Sequence, residues 1–199
     1  SENMLMDQNS LLKPEEISRA VQSQAFAIEA GYAESREGLY PVAQVNKTYI
    51  VALDGEDLVL VDQHVAHERV LYEQLKQKEK TIPEIQDLLI PESVELTPTQ
   101  SQTILAITSE LNKLGFVFED FGGTTLLLRG VPSILTRHAP RQVFLDILDE
   151  YAEAGSSVAA DKKQEEILKM VACKAAIKAG EVLTLAEMRG LLADLFLTA

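Results

Sequence analysis

The 199-residue chain is 46% hydrophobic and 25% charged, a balance typical of one globular domain or of one domain that carries an inserted lobe. Its net charge of −13 disfavours tight DNA binding, because DNA affinity comes largely from Lys and Arg side chains that displace counterions from the phosphates. A single cysteine, Cys173, excludes an internal disulfide and leads us to expect a cytoplasmic protein, and no apolar run approaches the roughly 20 residues that span a bilayer.

The predicted elements begin after a lead-in over residues 1–35, which we interpret as a linker or a marginal helix. Residues 42–53 are predicted to form one strand, and Asp54-Gly55 is a strong signal for a tight turn. A second strand over residues 58–61 then completes an antiparallel hairpin. The spacing of apolar residues that follows predicts a helix from Val65 to Lys78.

The rest of the chain mixes short strands with amphipathic helices. We predict strands at residues 93–96, 116–121 and 124–129, and helices at residues 98–114, 141–154, 162–179 and 185–197. This order predicts an α+β fold in which residues 81–160 form a lobe inserted into a first domain. Apolar faces of the last two helices are a candidate two-fold interface, comprising Ile167, Leu168, Val171, Ile177, Leu191, Leu192, Leu195 and Phe196.

The run from Asp62 to Glu73 carries the clearest chemical signal. Asp62 ends the second strand, and His64 and Glu68 are four residues apart, which places them on one face of a helix. Two carboxylates and an imidazole around one point suit Mn²⁺, Mg²⁺ or Zn²⁺. His67 is close enough to ligate or to support a ligand, whereas Glu73 lies about 140° further round the helix than Glu68 and is not expected to share its metal.

A purely structural interpretation of the same run stays open on spacing alone. An Asp at a strand–helix junction is often an N-cap, and the His beside it is often an ordinary structural residue. Glu68 and Arg69 fit a solvated helix face equally well. Spacing therefore predicts a ligand cluster without excluding the simpler alternative.

The residues Asp62-Gln63-His64-Val65-Ala66-His67-Glu68, followed by Glu73, resemble the DQHA-x2-E-x4-E signature of MutL proteins that carry endonuclease activity. Val65 stands where that signature has Ala, a conservative departure. A second block, Ala172 to Ala179, resembles the family's Ala/Ser-Cys-basic helix, which lies beside the metal site. The resemblance covers residues 38–199 and implies a two-lobed MutL C-terminal domain of bacterial type. It implies a dimerisation lobe over residues 36–80 and 161–199, and an inserted regulatory lobe over residues 81–160.

The resemblance also implies roles for individual residues. Asp62, His64 and Glu68 become the catalytic and metal-site residues, with Mn²⁺ or Zn²⁺, or Mg²⁺ as a further candidate. Cys173 becomes a metal ligand, whereas without the family it would be a small buried helix residue. The supporting or phosphate-contacting residues are His67, Glu73, Lys174 and Lys178, although the two lysines fit an exposed basic stripe equally well.

A candidate docking segment lies in the middle lobe at Gln86-Asp87-Leu88-Leu89-Ile90-Pro91. A Gln followed by closely spaced aliphatic residues resembles the short motif that fits the hydrophobic pocket of the bacterial sliding clamp. Leu88, Leu89 and Ile90 would fill that pocket and Gln86 would bond its rim. The alternative is that these aliphatic side chains belong to the core of the lobe.

The resemblance implies an endonuclease that nicks one strand of duplex DNA in mismatch repair and forms a homodimer. Its implied partners are the sliding clamp, duplex DNA bound weakly, and a MutS-type mismatch-recognition protein through the full-length protein. The family continues with a Cys-Pro-His-Gly-Arg-Pro segment beyond Ala199, so we expect the metal site to be incomplete in this chain, and we expect no nucleotide site. The alternatives are a dimerisation and clamp-docking module with a structural or regulatory metal, and an unrelated metal-binding α+β protein.

Overall fold

A computed structural model describes residues 38–78, 83–135, 138–154 and 162–198, so the lead-in predicted over residues 1–35 lies outside the described residues. The first sheet contains β1 (Tyr40–Val45), β2 (Tyr49–Asp54) and β3 (Asp57–Asp62), all antiparallel in the order β1-β2-β3. The predicted hairpin between β2 and β3 is confirmed.

The prediction of one strand over residues 42–53 is wrong, because the chain reverses between β1 and β2. Asn46 and Lys47 both have a φ of 52°, a left-handed conformation that residues other than glycine rarely adopt. This turn contains no glycine and no proline, so the sequence gives only the Asn as a signal. The consequence is a third strand in the sheet.

The first helix, α1 (Gln63–Lys78), begins directly at the end of β3 and two residues before its predicted start. The Asp62 carboxylate accepts a hydrogen bond from the Val65 backbone N–H at 3.1 Å, which satisfies one of the free donors of the first turn. Ala66 and Val70 on α1 pack against Ile50 and Ala52 from the inner face of the sheet. Asp62 therefore stands at the junction where strand β3 ends and helix α1 begins.

The second sheet contains β4 (Ile85–Glu95), β5 (Val117–Gly122) and β6 (Thr125–Pro132) in the antiparallel order β4-β6-β5. Strand β4 is much longer than the predicted strand over residues 93–96, since it begins at Ile85. Its pairing with β6 is interrupted: Asp87 pairs with Gly130, whereas the next pair joins Glu92 to Leu128. Residues 88–91 therefore oppose one residue of β6 and form a bulge.

Helices α2 (Pro98–Leu114) and α3 (Pro140–Ala154) pack with this second sheet, and a short 3₁₀ turn (Ser133–Leu135) follows β6. A capping box begins α2, because the side chains of Thr97 and Gln100 each bond the other's backbone N–H. Gly115, with a φ of 101°, ends it as predicted. Both helices thus match their predicted ranges within a residue.

The last two helices are α4 (Lys163–Ala175) and α5 (Leu185–Thr198). The prediction that α4 continues to residue 179 is wrong, because Ala176 adopts an extended conformation with a ψ of 147°. The predicted two-fold interface on these helices is also wrong, because most of its side chains are buried within this one chain: Ile167, Leu168, Val171, Leu191 and Leu192. These five side chains contribute to the two cores of this chain, whereas Phe196 on α5 remains 62% exposed.

The architecture confirms the predicted α+β class. One hydrophobic cluster lies among the second sheet and helices α2, α3 and α4, and the other lies between the first sheet, α1 and α5. Among the described residues, no helix is both long and apolar enough to cross a membrane. The junction between the two clusters is where α1 and α4 meet, and it brings the Asp62–Glu73 run next to Cys173.

Candidate metal centre

His64 and Glu68 occupy consecutive turns on one face of α1. The imidazole Nε2 lies 3.8 Å from a carboxylate oxygen of Glu68, and both side chains are partly buried. Helical spacing predicts this approach. The pair presents one nitrogen and one oxygen donor toward α4.

Cys173 completes a group of three potential ligands. It lies on α4, and its sulfur, the imidazole nitrogen of His64 and a carboxylate oxygen of Glu68 all lie within 4.8 Å of one another. Ligands of a tetrahedral zinc ion lie roughly 3.4–3.7 Å apart, so small side-chain rotations would close the group around one ion. An imidazole, a carboxylate and a thiol thus meet at the junction of two helices.

The thiol of Cys173 differs from an exposed one in its acidity. Burial raises the pKa of Cys173, and the nearby carboxylates of Glu68 and Glu150 raise this pKa further by opposing a thiolate charge. Without a cation, the thiol therefore stays protonated at neutral pH. A coordinated thiol loses its proton, so metal binding here would release one.

The backbone of Ile177 fixes the proton positions on two imidazoles. The carbonyl of Ile177 lies 2.9 Å from His64 Nδ1, and because a carbonyl only accepts, Nδ1 carries the proton. The neutral ring therefore keeps a lone pair on Nε2, the nitrogen that faces Glu68. In contrast, the N–H of Ile177 donates to Nδ1 of His67 at 2.9 Å, which leaves the proton of that ring on Nε2.

The structure does not bring Asp62 or Glu73 into the group of three. The Asp62 carboxylate caps α1, which is the structural alternative that its position at a strand–helix junction allows. Glu73 forms an ion pair with Arg69 at 2.9 Å, one turn further along α1. Neither residue contributes a ligand atom to the group. His67 does not belong to it either, but it bonds the backbone of Ile177, which also bonds His64.

The two lysines of the second block separate in space. Lys174 forms an ion pair with Glu150 on α3 at 2.9 Å, and this contact raises the pKa of Lys174. Lys178 is exposed and lies beyond the end of α4, so the two side chains do not form the predicted helical stripe.

Gln63 is a residue whose role the sequence does not indicate. It is fully buried, and its amide donates toward the carbonyls of Lys47, Lys178 and Glu181 at 2.9, 3.3 and 3.2 Å. The amide nitrogen of Gln44 donates to its Oε1. The only sequence signal was its position inside the motif, between Asp62 and His64.

The docking segment lies on the bulge of β4. Leu89 is 102% exposed and Ile90 is 81% exposed, whereas Leu88 is partly buried against the second sheet's cluster. Gln86 is exposed, and Pro91 is partly buried at the end of the bulge. The alternative that these aliphatic side chains are core therefore holds for Leu88 and fails for Leu89 and Ile90.

Comparison with known proteins identifies the family of this chain. The model of the family described as "MutL C terminal dimerisation domain" matches residues 42–183. The "DNA mismatch repair protein MutL" of Geobacter sulfurreducens is 38% identical over 183 residues, which are 92% of this chain and 30% of that protein. The protein of the same name from Phenylobacterium zucineum is 41% identical over 152 residues, 75% of this chain and 24% of that protein. The chain thus spans less than a third of the length of these curated relatives, and it belongs to the family of MutL C-terminal dimerisation domains.

Proposed function

We propose that this domain is a metal-dependent endonuclease that nicks one strand of duplex DNA during mismatch repair. The observation that carries the proposal is the convergence of an imidazole, a carboxylate and a thiol at the junction of α1 and α4. The printed name of the relatives, a DNA mismatch repair protein, supports the biological setting. Nicking duplex DNA requires an activated water and a means of stabilising charge on the phosphate, and a bound divalent metal supplies both.

The donor set of the group fits a divalent transition metal. Imidazole and thiolate ligands suit Zn²⁺, whereas carboxylates also suit Mn²⁺ and Mg²⁺. His64 offers the Nε2 lone pair, Glu68 offers a carboxylate oxygen and Cys173 offers its sulfur after deprotonation. A divalent ion held by these three side chains would supply the Lewis acidity that activates a water for attack on the phosphate. Asp62 stays a candidate ligand at the rim, provided that its carboxylate gives up the helix cap.

The negative charge of the chain implies that the domain binds DNA weakly by itself. Basic side chains around the group are engaged by carboxylates: Arg69 by Glu73, Lys174 by Glu150, and Lys169 by Glu165 and Glu166. Paired cations release few counterions from DNA, so their contribution to affinity is small. With a net charge of −13, the domain depends on another component to deliver the duplex.

We infer that this component is the sliding clamp that encircles DNA, and that the β4 bulge binds to it. Leu89 and Ile90 project into solvent as a pair of apolar anchors, and such side chains bind by filling a pocket. Gln86 lies on the same strand and offers an amide to the pocket rim. Clamp binding places duplex DNA near the domain without any basic surface on the domain itself.

The docking proposal is tested with Leu89→Ala/Ile90→Ala, assayed by surface plasmon resonance on the immobilised clamp. We expect binding to weaken at least tenfold while the melting temperature stays within about a degree, because both side chains are exposed. The matched control is Leu105→Ala, an 83% exposed leucine on α2. If the parent, the double variant and the control bind the clamp equally, the bulge is not the docking site.

The nuclease proposal is tested by nicking of supercoiled plasmid in Mn²⁺, with the full-length protein that carries this domain. We expect Glu68→Gln to abolish nicking, because it removes a charged donor from the group. The matched control is Glu73→Gln on the same helix, where the carboxylate faces Arg69 and activity should persist. Nicking by the Glu68 variant at the parent rate would exclude the catalytic assignment and leave a docking module with a structural metal.

The outer face of the first sheet supports a second function, namely dimerisation. On this face Tyr49 pairs with Asp62 at one end, and the other residues are apolar: Ala43, Val45, Val51, Leu53, Leu58 and Leu60. Leu58 is 67% exposed and Leu60 is 62% exposed. A contiguous apolar sheet face of this kind marks an interface, and a second copy of the chain presents a matching one.

A further inference from the structure

Gln63 holds together two segments that are far apart in the chain. Its side-chain amide bonds the β1–β2 turn through the Lys47 carbonyl and bonds the segment after α4 through the carbonyls of Lys178 and Glu181. The N–H of Gly180 donates to Lys47 at 2.9 Å and joins the same two segments. The segment 177–181 is therefore fixed against the first sheet by a fully buried amide.

The segment that Gln63 fixes begins with Ile177, the residue that bonds both imidazoles. Lys178, whose carbonyl accepts from Gln63, is the next residue along the chain. A displaced segment would carry the Ile177 carbonyl away from His64 Nδ1, where the distance is now 2.9 Å. The ring would then be free to move its proton to Nε2 and lose the lone pair that faces Glu68.

We propose that Gln63 is the positioning residue of the metal centre, acting on His64 through the backbone of Ile177. It holds the segment 177–181 so that the Ile177 carbonyl keeps His64 in the Nδ1–H form and leaves a lone pair on Nε2, the nitrogen nearer to Glu68. The consequence for metal binding rests on the proposed nuclease function. The effect on the imidazole does not.

The chemistry of the site explains why an amide stands at this position. Three carbonyl oxygens surround Nε2 of Gln63, and one donor, the amide of Gln44, faces its Oε1. Only an Asn or Gln side chain offers two N–H donors and a carbonyl acceptor in one plane. A Glu would set a carboxylate against three carbonyl oxygens, and a Met of similar length would leave them without a donor.

The test compares Gln63→Met with the parent by ¹⁵N NMR of the imidazoles in metal-free, alkaline buffer. The chain has three histidines, so the signals are few enough to assign by single substitutions. We expect the parent to show His64 protonated on Nδ1 and His67 on Nε2. In Gln63→Met the His64 signals should shift to averaged values that indicate both tautomers.

A second readout follows Zn²⁺ affinity by competition with a chromophoric chelator. Loss of a residue that orients a ligand typically lowers metal affinity by about 10–100-fold, so we expect at least a tenfold loss in Gln63→Met. The matched control is Gln100→Met, which removes another buried amide, one that bonds Asp149 at 2.7 Å in the second sheet's cluster. This control should lower stability and leave both readouts at parent values.

Parent-like His64 signals in folded Gln63→Met protein would overturn the proposal, as would averaged signals with unchanged Zn²⁺ affinity. If Gln63→Met does not fold, Gln63→Asn decides by the same criteria, because it keeps an amide at this position but shortens its reach to the three carbonyls. If the parent binds no Zn²⁺, the affinity comparison is repeated with Mn²⁺. Binding of neither ion contradicts the proposed metal site, whereas the tautomer comparison still tests Gln63.

Discussion

Substitution of the apolar sheet face tests whether it holds two copies of the chain together. Leu58→Ala/Leu60→Ala removes two exposed leucines from β3, an edge strand of the first sheet. These side chains make little contact within one chain, so we expect the stability of the monomer to change by less than about 0.5 kcal/mol. The effect belongs to the dimer.

The size of the effect follows from the exposed fractions. Full burial of a leucine side chain contributes about 2 kcal/mol, and Leu58 and Leu60 have 67% and 62% of their surface still exposed. Truncation to Ala therefore removes about 1 kcal/mol for each side chain at a tight interface. A two-fold interface counts each substitution twice, which gives about 4 kcal/mol and roughly a thousandfold weaker dimer.

Sedimentation equilibrium measures this dissociation constant directly. The control Leu105→Ala removes an even more exposed leucine from α2, which lies outside the sheet, and its dimer should match the parent within about twofold. If the double variant dimerises within about tenfold of the parent, the sheet face is not the interface.

Three further predictions concern the acidity of Cys173 and the backbone conformation at two glycines. In metal-free protein, the rate of Cys173 alkylation should increase with pH around a midpoint above that of a free thiol, because burial and nearby carboxylates raise the pKa of Cys173. Zn²⁺ should suppress the reaction. A midpoint at or below that of free cysteine would contradict this account of the site's electrostatics. Gly115→Ala should lower the melting temperature by several degrees, since a φ of 101° costs an alanine about 1–2 kcal/mol. Gly190→Ala, inside α5 with open space around the new methyl group, should raise the melting temperature. In calorimetry, an increase for Gly115→Ala would refute the first argument and a decrease for Gly190→Ala would refute the second.

Features with local causes could be predicted from the sequence. The end of α2 at Gly115 and the approach of His64 to Glu68 depend on residues within four positions of each other. The turn at Asp54-Gly55 has a sequence signature of its own. Short-range rules were therefore sufficient for these parts of the fold and of the site.

Features with distant causes could not be predicted in this way. Residues 176–179 are good helix formers, yet the chain leaves the helix after Ala175, since the Ile177 backbone bonds two imidazoles of α1 instead of its own helix. The role of Gln63 could not be predicted either, because its partners are backbone carbonyls up to 118 positions away. Every residue has a backbone carbonyl, so the sequence does not indicate which ones a side chain will bond. Cys173 joined the prediction only through the family resemblance.

The bulge of β4 has a thermodynamic consequence for any partner that takes Leu89 and Ile90. Both of its ends are tied to β6, through Asp87 on one side and Glu92 on the other, so four residues are presented with their endpoints already fixed. A free peptide with the same residues would lose about 1–2 kcal/mol of backbone entropy for each residue that becomes ordered on binding. Much of this loss has already occurred during folding of the sheet, so a short contact of two side chains suffices for recognition.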